Sequence, residues 1–371
     1  MVSSSTPSTP STPLGQAQRP IRVGIVGYGT AGRLFHASLI GRVPDLQLVA
    51  VATRSPERRA LAAQQHGVAT FETVDELLDA GGVDLVVVAT PHDTHCSLAC
   101  RAMDAGKHCV VEKIMALNAR EAATMLEASQ RNGVLLSVFQ NRRWDWDYLT
   151  VKQAVTEGLI GSSYLFEIGQ FVYRAPRGWR GDPAAGGGLL FDWGAHFVDQ
   201  ALQIVPEPVA SVTCDVQYRG WGAQIGSYVR LLIRFAGGVL YSIEIGNQAR
   251  YAKPHWLVLG ETGSLVKYGH DPQERTIRSS DGARGAIETA REDPANRARI
   301  TTEVAGFTTE MVVESVRGDW TSYYRNVADA LRGRAPLIVT PEQSVRAMSI
   351  VDAAMESART GETVRLSEAA R

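Results

Sequence analysis

The 371-residue sequence has no apolar run long enough to cross a membrane and no block of like charges. A membrane-spanning helix needs about 20 consecutive apolar residues, so we do not expect a membrane partner. The formal net charge is −1, and the basic residues are dispersed along the chain. Because no basic stripe is present, the sequence does not predict binding to nucleic acid. A small molecule is the expected partner.

Cysteine is also scarce, with four residues in the whole chain. Cys96, Cys100, Cys109 and Cys214 form no disulfide framework and suit a reducing compartment. Residues 1–20 are rich in Ser, Thr and Pro and lack the basic and apolar regions of a secretory signal, so we predict a disordered tail. These features favour a cytoplasmic protein.

Histidines and cysteines occur close together between residues 92 and 109, which makes a metal site worth testing. No Cys-x-x-Cys or His-x-x-x-His spacing occurs there, however, and Cys96 and Cys100 fall at positions typical of a helix core. We predict that the chain has no metal site.

A glycine-rich turn stands between a strand and a helix near the start of the chain. Ile21–Val26 has the composition of a buried strand, the turn GYGTAG follows at once, and a helical pattern comes next. In that setting GxGxxG is typical of a dinucleotide-binding domain. Gly27 allows the tight turn, Gly29 lets the backbone approach a pyrophosphate, and Gly32 lets helix and strand pack closely.

The second strand, Leu46 to Thr53, has no acid at its tip, where a carboxylate would bind the ribose hydroxyls of NAD. Arg54 and Ser55 stand there instead and could hold a 2′-phosphate. This favours NADP as the cofactor, with NAD possible. The alternative is that Arg54 is an ordinary solvated loop charge.

Strands and helices alternate as far as residue 141, which predicts a doubly wound parallel sheet. Later runs with period-two alternation, at 209–218, 228–235, 239–248 and 255–260, indicate antiparallel strands with one exposed face. The predicted fold class is therefore α/β. It consists of an N-terminal Rossmann domain, residues 21–141, and a C-terminal α+β domain, residues 142–336, with an open, largely antiparallel sheet. We expect the second domain to bind the substrate and to oligomerise, because its open face needs a cover.

Two charged residues, Glu112 and Lys113, directly follow a short apolar run. Open α/β sheets bind ligands at the carboxyl ends of their strands, so this pair and the turn after the preceding strand should face the cofactor. Together with the glycine loop and the second strand tip, they make up the predicted cofactor site. Its residues are Gly27, Gly29, Thr30, Ala31, Gly32, Thr53, Arg54, Ser55, Thr90, Pro91, His95, Glu112 and Lys113.

Asp192, His196 and Asp199 follow a run of glycines at a spacing that places all three on one face of a helix. A histidine between two acids is suited to act as a base, because a neighbouring carboxylate favours the imidazolium and orients the ring. A capping aspartate and a histidine satisfied within the core fit the pattern equally well.

Together these segments resemble the Gfo/Idh/MocA oxidoreductase family, from about Ile21 to the C-terminus. The matching motifs are GYGTAG at 27–32, ATPxxxH at 89–95, Glu-Lys at 112–113 and GGxxxDxxxH at 187–196. Within the family, the segments NRRWD, GGGLLFDWGAHFVDQ and GSLVKYGHDPQE are most similar to the NADP-dependent scyllo-inositol dehydrogenase branch.

The resemblance implies that Lys113, Asp192 and His196 meet over the nicotinamide as the catalytic residues. Hydride leaves a carbinol carbon while its hydroxyl loses a proton, so a base and a cation beside the developing alkoxide are needed. His196 would then be the general base, and Lys113 would hydrogen-bond the substrate oxygen. Asp192 would orient the substrate and His196.

The chain departs from the family pattern at Ile114, where the family usually has proline. A cis peptide bond before isoleucine costs about 3–4 kcal/mol, so we expect a trans bond here. A trans bond could point Lys113 in a different direction.

The implied activity is reversible NADP-dependent oxidation of a secondary ring alcohol on a sugar or cyclitol, by a homodimer or homotetramer. Two alternatives stay open. One is an enzyme that oxidises a sugar transiently with bound cofactor, during glycoside cleavage or elimination. The other is a non-catalytic sugar or dinucleotide sensor.

The substrate pocket is expected between the two domains, where aromatic faces can pack on a sugar ring and arginines can donate to its hydroxyls. The resemblance further implies that a last helix, residues 341–360, packs back on the first domain. The predicted substrate-binding residues are Arg142, Tyr173, Trp179, Arg180, Asp192 and His196.

Overall fold

The computed structural model describes residues 19–221, 224–283 and 285–366. The predicted disordered tail lies outside these ranges, apart from Arg19 and Pro20. The described strands form two sheets, one of six strands and one of nine. Within the same ranges no helix is long and apolar enough to span a membrane.

The first sheet is parallel throughout, with the strand order β3-β2-β1-β4-β5-β6. Its strands are β1 (Ile21–Val26), β2 (Leu46–Ala52), β3 (Ala69–Phe71), β4 (Leu85–Val88), β5 (His108–Val111) and β6 (Leu136–Val138). A π-helical segment, Ala31–Ala37, runs directly into the first α-helix. The helices are α1 (Ser38–Ile40), α2 (Pro56–His66), α3 (Val74–Asp79), α4 (His95–Asp104) and α5 (Ala119–Asn132).

The strands of this sheet are apolar on both faces because helices cover both. In β4, Leu85 and Val87 pack into the cluster that contains α1, whereas Val86 and Val88 pack into the cluster that contains α4 and α5. All four side chains are fully buried. The predicted doubly wound Rossmann sheet is confirmed.

The second sheet is mixed and largely antiparallel, in the order β14-β13-β12-β11-β7-β10-β9-β8-β15, with one parallel pair between β7 and β10. Its strands are β7 (Ser163–Phe171), β8 (Val209–Gln217), β9 (Tyr228–Phe235), β10 (Leu240–Gly246), β11 (Trp256–Gly260), β12 (Gly263–Lys267), β13 (Ala298–Val304), β14 (Phe307–Val313) and β15 (Val364–Arg365). This confirms the predicted fold class.

Helices cover one face of the second sheet. The remaining helices are α6 (Trp146–Thr156), α7 (Ala195–Ile204), α8 (Pro272–Ser279), α9 (Thr321–Leu331) and α10 (Pro341–Thr360). Helix α10 contacts α5 and β6 of the first domain as well as α7 and β8 of the second. Asp352 Oδ2 accepts a hydrogen bond from Ala119 N at 2.8 Å, and Ser357 Oγ accepts one from Cys214 N at 2.9 Å. The last long helix therefore joins the two domains.

The other face of the second sheet has no helix packed on it among the described residues. The pairing register places a group of partly exposed apolar side chains at its centre. They are Leu165, Leu232, Leu240, Leu257, Leu259 and Val266. We refer to this surface as the open face.

Candidate active site

A cleft of about 390 Å³ lies between the two domains. Thr30, Ala31 and Lys113 line it from the first domain, at the carboxyl ends of the parallel strands. Asp192 and His196 line it from the second domain. Its volume is within the range that small-molecule sites occupy.

The glycine loop takes the conformation that its sequence predicts. Gly27 has φ +95°, and a Cβ atom there would lie 2.4 Å from the carbonyl oxygen of Ala89. A Cβ atom on Gly32 would lie 2.0 Å from the carbonyl oxygen of Gly27. Both positions therefore exclude any side chain. A Cβ atom on Gly29 would meet Arg58 Nη1 only at 4.0 Å, so the space above the loop is open.

The tip of β2 carries the residues predicted to select the cofactor. Arg54 is exposed there, and Thr53 accepts a hydrogen bond from Arg59 Nη1 through its carbonyl oxygen at 2.7 Å. Ser55 caps α2 by accepting a hydrogen bond from Arg58 N at 3.2 Å. Arg58, which the sequence reasoning did not single out, is thereby placed beside the glycine loop.

The turn after β4 is braced by a buried histidine. The two ring nitrogens of His95 lie 2.8 Å from the carbonyl oxygen of Ile114 and 3.0 Å from that of Thr90. Pro91 follows in the same turn, and Thr94 Oγ1 donates to its carbonyl oxygen at 2.7 Å. Because His95 is fully buried, it can position the strand-end turns but cannot itself touch a ligand in the cleft.

Lys113 and Asp192 meet across the cleft. Lys113 Nζ lies 2.8 Å from Asp192 Oδ1 and 2.6 Å from the Asp192 carbonyl oxygen. Arg180 Nε lies 3.5 Å from Asp192 Oδ2. Burial would raise the pKa of Asp192, but the positive charges of Lys113 and Arg180 outweigh it and hold this pKa below its usual range. Asp192 is thus a carboxylate shared by two cations.

Glu112, which precedes Lys113, is hydrogen-bonded within the first domain. Its carboxylate accepts a hydrogen bond from Lys113 N at 2.9 Å and lies 3.2 Å from His36 Nε2. His36 Nδ1 lies 2.6 Å from the hydroxyl of Tyr324. Burial would raise the pKa of Glu112, whereas the hydrogen bond with His36 prevails and lowers it.

The peptide bond between Lys113 and Ile114 is cis, so the expectation of a trans bond was wrong. That expectation rested on peptide energetics alone and left out the surroundings of the bond. Ile114 is buried, and its carbonyl oxygen faces His95 Nδ1. The Lys113 side chain points into the cleft, as it would have to for the predicted role.

His196 is buried at the start of α7, and its ring partner is an amide rather than a carboxylate. The Nδ1 atom lies 3.2 Å from Gln140 Oε1. If Gln140 accepts this hydrogen bond, Nδ1 carries the proton and Nε2 keeps a free lone pair. In that tautomer His196 can accept a proton at the cleft.

The expected stabilisation of an imidazolium at His196 is therefore wrong. Burial first, and then the positive charges of Lys113 and Arg142, lower the pKa of His196 well below its ordinary value. The second acid of the pattern, Asp199, is occupied elsewhere, because its carboxylate pairs with Arg143 at 2.7 Å and 2.8 Å. The pattern also assumed one regular helix, whereas Asp192 lies in a π-helical segment, Leu190–Gly194, that precedes α7. The three side chains have different partners.

Arg142 lines the cleft as predicted, but its guanidinium is already engaged. Nη1 donates to Asp145 Oδ2 at 3.0 Å, and Nη2 contacts Glu274. The same group lies over the ring of Trp193, 4.5 Å from its centroid. Arg142 therefore holds Asp145, Glu274 and Trp193 together at the cleft wall. Few of its N–H groups are left to donate to a substrate.

Tyr173 and Trp179 do not line the cleft, which corrects the predicted aromatic wall. The Tyr173 ring lies 5.1 Å from that of Trp221 and 3.7 Å from the guanidinium of Arg250. The Trp179 ring packs 4.4 Å from His92. The segment is irregular, and its arginines line the cleft whereas the two aromatic residues do not.

Several residues that line the cleft, or that contact its lining as Gln140 does, were missed by the sequence reasoning. Gln140 follows the end of β6, so the strand-end rule that identified Lys113 would have found it. Trp193 neighbours Asp192 and carries the aromatic surface that we had assigned to Trp179. Glu274 ends the segment GSLVKYGHDPQE that carries part of the resemblance, but neither it nor Arg278 was assigned to the cleft, because α8, on which they form an i,i+4 ion pair, was not predicted.

Throughout the described residues, no group of three or more His, Cys, Asp or Glu side chains is arranged to hold a metal ion. Burial raises the pKa of the Cys96 thiol to about 12, and Cys109 is fully buried. The four cysteines are free.

Comparison with known proteins gives two family matches. Residues 21–140 match the model described as GFO_IDH_MocA, an oxidoreductase family with an NAD-binding Rossmann fold. Residues 148–266 match the GFO/IDH/MocA C-terminal domain.

Similar proteins and structures cover nearly the whole chain. The chain is 32% identical over 353 residues to scyllo-inositol 2-dehydrogenase (NADP(+)) IolW of Bacillus subtilis, spanning 93% of this chain and 96% of that protein. It is 30% identical over 264 residues to inositol 2-dehydrogenase of Rubrobacter xylanophilus, spanning 68% and 72%. The solved structure of the oxidoreductase yvaA from Bacillus subtilis superposes with a TM-score of 0.88 at 30% identity, covering 95% of this chain and all of that one.

Proposed function

The chain belongs to the Gfo/Idh/MocA oxidoreductase family, and from that premise we propose that it interconverts a secondary ring alcohol and the corresponding ketone of a cyclitol or sugar. It is a nicotinamide-dependent dehydrogenase acting on CH–OH groups. In this proposal NADP is the preferred cofactor. The observation that carries the proposal is the meeting of Lys113, Asp192 and His196 at one cleft beside the glycine loop. The inositol dehydrogenases among its relatives support the substrate class.

The residues of the first domain fit a dinucleotide. The positions of Gly27 and Gly32 admit no side chain, and the space above Gly29 is open, so backbone amides can approach a pyrophosphate at the start of the helical segment. Thr30 and Ala31 line the adjoining end of the cleft. The bound nicotinamide supplies the hydride acceptor of the reaction.

The side chains around the cleft then have separate roles. His196, held neutral by its surroundings, takes the proton of the substrate hydroxyl. The ammonium group of Lys113 stabilises the negative charge that develops on the same oxygen. Asp192 holds Lys113 in place and can accept a hydrogen bond from a neighbouring hydroxyl. Trp193 offers an apolar ring for the C–H face of a sugar.

The activity is tested by following absorbance at 340 nm with NADP and a panel of inositols, hexoses and simple glycosides. Steady production of NADPH with at least one cyclitol or sugar is the expected result. Formation of a glycoside cleavage product without net absorbance change would instead indicate transient oxidation. Tight binding without turnover of any compound would indicate a sensor.

The preference for NADP depends on Arg54 in this proposal. Its guanidinium can bind a 2′-phosphate bidentately, and loss of one charge-assisted contact costs about 1.5–3 kcal/mol, or roughly ten- to hundred-fold in affinity. Arg54→Ala should therefore raise KM for NADP by that factor and leave KM for NAD almost unchanged.

Steady-state kinetics with both cofactors check this result. Arg120→Ala, which removes an exposed arginine of α5, is the matched control and should behave as the wild type. A wild-type enzyme that prefers NAD, or an Arg54→Ala variant that loses both cofactors equally, would show that Arg54 is not the discriminator.

We also propose that the enzyme is a cytoplasmic dimer or tetramer that assembles through the open face. The four free cysteines suit a reducing compartment. The partly exposed leucines of the open face are bordered by charged residues, among them Glu167, Arg230 and Glu244, which is the composition expected of a sheet that packs on a second copy.

Light scattering at micromolar concentration should give at least twice the mass of the 40.2 kDa chain. Leu257→Lys places a charge on the open face and should lower the mass of the assembly. A wild-type monomer would refute the proposal.

A further inference from the structure

The wall of the cleft that the second domain contributes is rich in arginine. The segment after β7 places Arg174, Arg177 and Arg180 at intervals of three residues, and all three line the cleft. The backbone of Arg174 is tied to the second sheet through a hydrogen bond from its N–H to the carbonyl oxygen of Asn247 at 3.0 Å. The backbone position of Arg174 is therefore fixed relative to the second sheet.

The carboxylates that line the cleft do not balance these charges. Asp192 is shared by Lys113 and Arg180, and Glu274 pairs with Arg278 at 2.7 Å and also contacts Arg142. Glu112, the third lining carboxylate, is hydrogen-bonded within the first domain. Among the described residues, neither Arg174 nor Arg177 has a carboxylate within 4.0 Å. The cleft thus has six cationic side chains and three carboxylates on its walls.

The cofactor phosphates do not account for this excess. A pyrophosphate would lie at the glycine loop, on the wall formed by the first domain. Arg174 and Arg177 are on the wall that the second domain forms. Both side chains are exposed to solvent, so they are available to bind an anionic group of a substrate.

We propose that the substrate is an anionic sugar or cyclitol, with a carboxylate or phosphate group bound by Arg174 and Arg177 while its ring alcohol lies between Lys113 and His196. The inference rests on the proposed function and narrows its substrate class. A guanidinium group matches both kinds of anion bidentately, and a cleft concentrates the potential of its charges on a bound ligand.

The experiment compares neutral and anionic compounds with similar rings: glucose against glucuronate and glucose 6-phosphate, and myo-inositol against myo-inositol 1-phosphate. We expect at least one anionic compound to exceed its neutral counterpart at least ten-fold in kcat/KM, with the difference mainly in KM. Added salt should reduce that ratio. A higher kcat/KM for glucuronate would identify the anionic group as a carboxylate, and a higher kcat/KM for one of the phosphates would identify it as a phosphate.

The variant Arg174→Gln/Arg177→Gln should lower the anionic-to-neutral ratio by roughly ten- to hundred-fold. Arg120→Gln removes an exposed charge remote from the cleft and should leave the ratio unchanged. Calorimetric binding of the same compounds to the enzyme–NADP complex makes the comparison without turnover. Equal preference for neutral compounds, or a ratio insensitive to the double variant, would overturn the inference while leaving the dehydrogenase intact. Absence of oxidation with any alcohol, together with selective binding of anions, would instead count against the proposed function.

Discussion

Replacing Lys113 by methionine is expected to lower kcat by about a hundred- to thousand-fold, the usual effect of removing one preorganised donor to a developing oxyanion. Methionine keeps the length of the buried stem but removes the ammonium group. KM for NADP should change little, because Lys113 Nζ is directed at Asp192 rather than at the glycine loop. Steady-state kinetics of alcohol oxidation measure both quantities.

The control is Lys113→Arg, which keeps the charge but not the geometry and should recover only part of the lost kcat. Thermal unfolding of each variant separates a catalytic effect from a folding defect, since Asp192 keeps Arg180 as a partner in either case. A folded Lys113→Met enzyme with wild-type kcat would remove Lys113 from the reaction.

The dinucleotide half of the molecule could be predicted from local sequence because its rules are local. Gly27 and Gly32 are required by backbone contacts within a few residues or with the adjacent strand, so the motif and its fold come together. The strand ends are equally well defined, because each strand of a doubly wound sheet is a short, fully apolar run. Lys113 was found at the cleft for that reason.

The second half was harder to predict because its partners are distant in sequence. Asp199 is 56 residues from Arg143, which neutralises it, and Glu274 is 132 residues from Arg142. A helical spacing shows which side chains share a face, but not what the face meets. For the same reason the acids beside His196 suggested a charged imidazole, whereas the fold surrounds it with Gln140 and two cations.

The prediction that aromatic residues form the cleft wall was wrong because the side chains point in other directions than we assumed. Tyr173 and Trp179 belong to an irregular segment, where neither a period of two nor one of 3.6 determines which residues face inward. Arg174, Arg177 and Arg180 turned out to face the cleft instead. Strands β12 to β14 were missed because their inward-facing residues are few and are separated by Thr, Ser and Glu.

His196 is the residue with the largest expected effect on the pH dependence and on the rate. His196→Gln should lower kcat for alcohol oxidation by about a hundred- to ten-thousand-fold, the range for loss of a positioned general base. The substitution keeps a polar side chain of similar reach in a buried site, so the fold should persist. The residual rate should lose its dependence on a group that titrates at acidic pH.

The wild-type profile follows from the direction of the pKa shift. The pKa of His196 is lowered, so the neutral base predominates above that pKa, and kcat/KM for oxidation should fall only when the pH drops well below 6.5. Gln140→Glu places a carboxylate 3.2 Å from Nδ1, favours the imidazolium and should move the acid limb of the profile towards neutral pH. Gln130→Glu makes the same substitution on the exposed side of α5 and should leave the limb in place. If the acid limb of the wild-type kcat/KM profile has its midpoint at or above pH 6.5, or if Gln140→Glu does not move that midpoint, another group controls proton transfer in this cleft.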